Sequence, residues 1–185
     1  MTANKHFKRR VRERARRTGE SYTAALRHLR RMDAEEQPMS WQRIEKSQFG
    51  YAVQVPEDWD ERPPNLKNSP WETARFGQRT DRRHSLIVFR APNRRTGSPG
   101  DIAAGARTSL ESSGFTDFRI TDARVGGREG ALLECALHDA GRVWAVREYF
   151  VAVDGVHFCL GLGSSVPEED AALFGEIATR FEILP

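Results

Sequence analysis

The sequence predicts an α+β fold: an antiparallel sheet with one inserted helix and one C-terminal helix, preceded by a basic helical hairpin. Three observations lead there. Past residue 41, short alternating apolar runs are interrupted by helical periodicity once and closed by it once, unlike the repeating strand–helix order of a parallel sheet. Turn signals at Gly126-Gly127, Ala140-Gly141 and Asp154-Gly155 join the later strands into a meander. Charge, finally, divides the chain. From Met1 to Arg31 eleven Lys and Arg face only Glu13 and Glu20, a net of +9, and the remaining residues carry −6.

Each element can be read in order. Residues from about Ala3 to Arg17 form a helix with Phe7, Val11 and Ala15 on one stripe, and Gly19 closes it. Ser21 caps a second helix in which Tyr22, Leu26, Leu29 and Met32 share a face. That apolar stripe is narrow, so the hairpin is marginal without a partner surface. The basic hairpin arm thus spans 1–32, a polar linker with Pro38 spans 33–40, and the α+β domain spans 41–185.

Within the domain, Trp41–Lys46 and Tyr51–Val55 read as a strand pair joined at Ser47–Gly50. An irregular stretch, Glu57–Ser69, with Pro63 and Pro64 follows. Trp71–Gln78 and Ser85–Arg90 are further strands, and Ala91–Gly100 is a turn-rich loop. Asp101 is positioned to cap a helix that places Ile102, Ala106 and Leu110 on one face and ends at Gly114. Strands then follow at Phe118–Val125, Glu129–His138, Val143–Val153 and Val156–Gly161. Pro167 opens the last helix, with Leu173, Ile177 and Phe181 on one face.

No apolar run is long enough to span a bilayer, and charge rather than an apolar core follows Met1. Cys135 and Cys159 lie in apolar strand runs, without metal-like spacing, and read as reduced core thiols. The chain is expected to be cytoplasmic, without membrane insertion.

The segments GYAVQVPEDW (Gly50–Trp59), DIAAGARTSL and FGEIATRFEIL, with the meander between the last two, resemble the PsbP/DcrB/LpqN superfamily over about 41–184. Its members open with a strand running into Pro-x-x-Trp and close on a helix. The resemblance implies a mostly non-enzymatic module. The superfamily includes photosystem extrinsic subunits, a Ran-binding import factor, envelope lipoproteins, and secretion chaperones that hold apolar segments of effectors. This chain has no lipoprotein cysteine, so the envelope role does not carry over. Trp59 takes the superfamily's anchor position and is expected to be structural. A weaker resemblance links RARRTGESYTAALRHLRR, within 12–31, to the helix–turn–helix half of VapB-type ribbon-helix-helix antitoxins, although Met1–Lys5 is too short for their DNA-reading strand.

Few residues of the sequence stand at spacings that carry catalytic or metal chemistry. His84, His138 and His157 fall on strands with no carboxylate or thiol at metal-like local spacing, and read as partly exposed sheet histidines. Gly161–Ser165 lacks the Gly-x-Ser-x-Gly spacing of a nucleophile turn and the Lys-Ser/Thr of a phosphate loop, and reads as a strand end and turn. Glu168, Glu169 and Asp170 suit the first turn of a helix, where carboxylates complement the dipole. Lys8, Arg9, Arg10, Arg12, Arg14, Arg16 and Arg17 are candidate nucleic-acid contacts, because clustered cations bind phosphates. They suit first of all a solvated helix face or a helix docked on the acidic body of the same chain, and also a protein partner. Trp71, Arg82, Arg83, Arg94 and Arg95 lie on long loops and form a candidate protein-recognition surface. The expected function is a non-catalytic binding, adaptor or chaperone-like module for a protein partner. The alternatives are a nucleic-acid-associated regulator using the arm and an enzyme whose site the sequence does not display. No metal or other cofactor is expected.

Overall fold

Burial periodicity and turn chemistry set the elements of this chain, whose computed structural model divides into two units, Met1–Ser40 and Trp41–Pro185. The structure describes residues 2–36, 39–79, 84–93 and 97–185, with the side chains of 2–6 and 30–36 left aside. The described residues form four α-helices and two antiparallel sheets. No described helix is long and apolar enough to cross a membrane.

The first unit is a helical hairpin of α1 (Thr2–Thr18) and α2 (Tyr22–Glu36). Gly19, at φ +74°, ends α1 and donates its N–H to the Ala15 carbonyl at 3.0 Å. The Ser21 hydroxyl then accepts the Ala24 N–H at 3.2 Å, satisfying one of the orphan donors of α2. Val11, Ala25 and Leu29 are buried against each other, flanked by Phe7, Ala15 and Leu26. Two expectations change here. Tyr22 is 42% exposed, and small Ala25 takes the inner position. The second helix also continues to Glu36, past the start of the polar stretch, because Asp-Ala-Glu-Glu contains no helix breaker.

The second unit begins with a small sheet of order β1-β2-β10, made from β1 (Trp41–Lys46), β2 (Tyr51–Pro56) and β10 (Glu182–Ile183). Gly50 makes the β1–β2 turn at φ +71°. The large sheet has the order β3-β4-β5-β9-β8-β7-β6, every neighbouring pair antiparallel. Its strands are β3 (Trp59–Arg62), β4 (Glu72–Gln78), β5 (His84–Pro92), β6 (Thr116–Val125), β7 (Arg128–Asp139), β8 (Arg142–Val153) and β9 (Val156–Ser164). β3 lies inside the stretch expected to be irregular. Four residues are too few to show alternation, yet Trp59, 2% exposed, anchors them and Pro63 ends them.

Helix α3 (Pro99–Ser112) is inserted between β5 and β6, and α4 (Pro167–Thr179) follows β9. The cap of α3 is Ser98, not Asp101. Ser98, Pro99 and Asp101 form a capping box in which the Ser98 hydroxyl accepts the Asp101 N–H and the Asp101 carboxylate accepts the Ser98 N–H, with Pro99 in the first turn. In α4, Phe174, Ile177 and Ala178 are buried, and Phe181 just beyond it is 1% exposed.

The main core lies between one face of the large sheet, the small sheet and α4. Tyr51 of β2 stacks on Phe181 at 5.4 Å and meets Phe158 of β9 edge-on at 5.9 Å, so three aromatic rings join both sheets to the C-terminal segment. The Tyr51 hydroxyl, deep in this core, is paired with Thr73 Oγ1 at 2.9 Å. The opposite face of the large sheet carries a smaller core under α3.

Gly126, in the β6–β7 turn, locks that hairpin to the end of α4. Its N–H donates to the Ala178 carbonyl at 3.0 Å, and a Cβ at its φ of +57° would stand 2.3 Å from the Phe181 carbonyl oxygen. Gly127, at φ +75°, has nothing within 4 Å of such a Cβ. Gly127→Ala is therefore expected to cost about 1 kcal/mol from left-handed backbone alone, and Gly126→Ala more than about 3 kcal/mol, in urea unfolding monitored by circular dichroism. Equal losses would show that the backbone approach at Gly126 is not tight.

Candidate functional site

Alternation across β5, β9, β8 and β7 turns Ile87, Gly161, Gly163, Trp144, Val146, Glu148 and Cys135 toward the same face of the large sheet. Helix α3 covers one end of that face. It packs Ala103, with Ile102, Ala106 and Leu110, over Ala131, Leu133, Phe150 and Cys159. Beyond the helix, Ile87, Trp144, Val146 and Glu148 are only half-buried. The result is a partly open apolar patch over the central strands β5, β9 and β8.

The two glycines of β9 shape this patch. A Cβ on Gly163 would stand 2.6 Å from Cζ2 of Trp144, so the indole rests against bare strand backbone. A Cβ on Gly161 would meet the Phe89 ring at 3.4 Å and Glu148 Oε1 at 3.8 Å. Side chains from β8 thus lean across β9 at both glycines, Trp144 over one and Glu148 beside the other. We call this the β9 notch.

Glu148 is the unusual group within it. It makes no hydrogen bond or ion pair among the described residues, and burial in apolar surroundings pushes its carboxyl up to about 7. Burial, with the nearby Glu148 charge as the lesser cause, also pushes the Cys135 thiol up to about 12 and the Cys159 thiol well above its ordinary range. Both are free, buried thiols, held toward the protonated form.

The groups expected to carry function are placed differently. Trp71 is 43% exposed, just before β4. Arg82, Arg83, Arg94 and Arg95 lie outside the described residues. On α1, Lys8, Arg9, Arg12, Arg16 and Arg17 are exposed, and Arg10 and Arg14 are half-buried. Arg14 is paired with Glu20 at 2.6 Å. Lys8, Arg12 and Arg16 fall four residues apart along one exposed stripe. Among the described residues, no group of three His, Cys, Asp or Glu is positioned to hold a metal ion. The cavity lined by Ser98, Gly100, Asp122, Arg124 and Glu129 lies at the N-terminus of α3, where the capping box already uses the Ser98 and Asp101 groups.

One buried polar cluster does bring a serine, a histidine and an aspartate together. His84, expected to be partly exposed, is 8% exposed and stacks on Trp59 with ring centroids 4.8 Å apart. Its Nδ1 lies 3.4 Å from Asp170, and the Ser164 hydroxyl donates to Asp170 at 2.6 Å and accepts the Val166 N–H at 2.8 Å. Aspartate stands between the other two, unlike the order of a nucleophilic triad, and Ser164 is 0% exposed. The cluster ties the end of β9 to the first turn of α4. It is structural.

The β9 notch was not singled out from the sequence. Gly161–Ser165 reads as a strand end, whereas β9 runs on through Ser164. The available signal was a pair of glycines two residues apart in a strand, a pattern that marks close approach by another group. Which side chains make that approach depends on the β8–β9 register.

No family model matches the sequence, and neither does any curated protein. Solved structures do match. Cyanobacterial PsbP (CyanoP) from Synechocystis sp. PCC 6803 is 16% identical, with a TM-score of 0.63 over 80% of this chain and 94% of that one. The Saccharomyces cerevisiae Ran-binding protein Mog1p is 9% identical, with a TM-score of 0.57 over 80% and 97% of the two chains. LpqN of Mycobacterium tuberculosis, described as involved in cell envelope biogenesis, is 14% identical, with a TM-score of 0.51 over 82% and 94%. At these identities the likeness is one of architecture, and it agrees with the element order described above. The chain has the PsbP/Mog1-like α+β fold.

Proposed function

We propose that this chain is a non-catalytic cytoplasmic binding module, an adaptor or chaperone-like protein, that recognises a protein partner through the partly open face around the β9 notch. The observation that carries the proposal is the half-buried row of Ile87, Val146, Trp144 and Glu148 beyond the edge of α3. Aromatic and aliphatic side chains held by a rigid sheet are suited to anchoring a partner. The similar fold of a Ran-binding protein agrees with such a role. Exposed Trp71, with Arg82, Arg83, Arg94 and Arg95, is proposed as a second contact region. Both cysteines are buried, and the Ser164 hydroxyl is engaged with Asp170.

Glu148 supports this reading through its cost. An ordinary glutamate ionises near 4.5, and in the folded chain Glu148 does so at about 7. Below the lower value both states are protonated and no penalty exists. As pH rises between the two values the unfolded chain ionises first, so folding loses on the order of 2–3 kcal/mol, and the loss persists above the upper value. A residue kept at such a cost is expected where function requires it.

A second reading rests on a different observation, the exposed stripe of Lys8, Arg12 and Arg16 flanked by Arg9 and Arg17. Such a surface would serve a regulator that binds nucleic-acid phosphates without base readout.

Three outcomes are expected. With a photo-crosslinking residue at Val146, cells should yield a discrete adduct that disappears with Trp144→Ala while the far-ultraviolet circular dichroism is unchanged. An adduct indifferent to Trp144→Ala would remove the face from the proposal. Glu148→Gln should stabilise the chain at pH 8 by on the order of 2 kcal/mol and by much less at pH 5 in urea melts. A stability gain independent of pH would place the carboxyl in water instead. In gel-shift assays on duplex DNA, the nucleic-acid reading expects affinity to fall with salt at a logarithmic slope of about −3 to −4, and Arg12→Glu with Arg16→Glu to abolish the shift. Binding that those changes leave intact would eliminate it.

A further inference from the structure

Resting on the reading of this face as a protein-binding surface, we infer that the β9 notch receives one basic side chain, an arginine or lysine, from the partner, its stem on Trp144 and its cationic head on Glu148. The geometry points to a single elongated cation. Gly163 and Gly161 mark the places where Trp144 and Glu148 cross β9, and two residues of strand span about 7 Å. An arginine or lysine stem with its head group covers that distance. The indole face attracts the cation and the methylene stem alike.

Charge decides between possible occupants. An isolated carboxylate in an apolar site is uncompensated, and a purely apolar segment laid over it would remove its remaining water and raise the cost further. A basic side chain does the reverse, since it replaces that water with an ion pair. A metal ion would need additional ligands, and none are grouped there among the described residues. Among the described residues, the titratable groups facing Glu148 are the Cys135 thiol of β7 and the Cys159 thiol of β9. β5 brings Ile87 and Phe89, and α3 brings Ile102, Ala103, Ala106 and Leu110, none of which titrates. Among the described residues no lysine or arginine of this chain pairs with Glu148. A partner can supply the complementary charge.

The test uses the full chain, with N-acetyl-arginine methylamide and its neutral isostere N-acetyl-citrulline methylamide as probes. Nuclear magnetic resonance follows the Trp144 indole N–H and the Glu148 carboxyl carbon during titration. At pH 8 the arginine probe should move both signals and bind at least five-fold tighter than citrulline. At pH 6, where a carboxyl that titrates at about 7 is mostly protonated, the arginine probe should weaken roughly ten-fold and its advantage should vanish. Glu148→Gln, a near-isosteric change whose fold the amide spectrum verifies, should remove the advantage at both pH values. Equal binding of the two probes, or an arginine preference that survives Glu148→Gln, overturns the inference. So does the absence of any shift at Trp144 and Glu148. The adduct experiment at Val146 is independent of all three results. An adduct lost on Trp144→Ala but retained in Glu148→Gln would therefore leave the binding face standing and eliminate the cation alone.

Discussion

The structure depends on one strand being useful on both of its faces. β9 sits inside the large sheet between β5 and β8, and its register with each is continuous over nine residues. Phe158, Leu160 and Leu162 point into the main core, while Cys159, Gly161 and Gly163 point to the opposite face. A slip of one residue would exchange the two sets. Glycines would then face Tyr51 and Phe181, and Phe158 and Leu160 would enter the partly open patch. The aromatic cluster that holds both sheets together and the notch in which Trp144 and Glu148 lie are therefore fixed by the same pairing.

That coupling separates the stabilising face of β9 from the partly open one. The core side spends its volume on large apolar groups, with polar pairs set among them, such as Tyr51 with Thr73 and Ser164 with Asp170. The notch side does the opposite. Glycine contributes no packing there, the indole is half-buried, and a carboxylate stands among apolar neighbours without a partner among the described residues. Favourable groups on one face allow unfavourable ones on the other, within a single strand.

Most of the architecture was legible because it rests on local signals. The meander turns, the Pro167 start of α4, the Gly19 and Gly114 helix ends and the two apolar stripes of α1 and α4 are written in residues close together in sequence. Where reading failed, the deciding contact lay elsewhere. β3 is held by the burial of Trp59 and by pairing to β4, and four residues cannot show a period. Ser98 was hidden inside a turn-rich loop, although Ser-Pro-Gly-Asp is a capping box once Pro99 is seen to start the helix. The burial of Ala25 in place of Tyr22 reflects how closely α1 and α2 approach, which composition does not encode. The notch was the least legible of all. Glu148 and Gly161 are thirteen positions apart, and Trp144 and Gly163 nineteen, so only the β8–β9 register joins them.

A lone carboxylate in an apolar patch acts more on selectivity than on affinity. A partner segment with a basic residue among apolar ones satisfies both halves of the site, whereas a segment of apolar residues alone must bury Glu148 unpaired or leave it protonated. The second outcome is possible because the carboxyl titrates near neutrality, at about 7. The proposed site would therefore discriminate strongly when ionised and weakly when protonated, because only the carboxylate needs a cation to replace its lost water. This also explains why Trp144 and Glu148 belong together. The indole supplies contact that either occupant can use, and the carboxylate supplies the penalty that only one of them relieves.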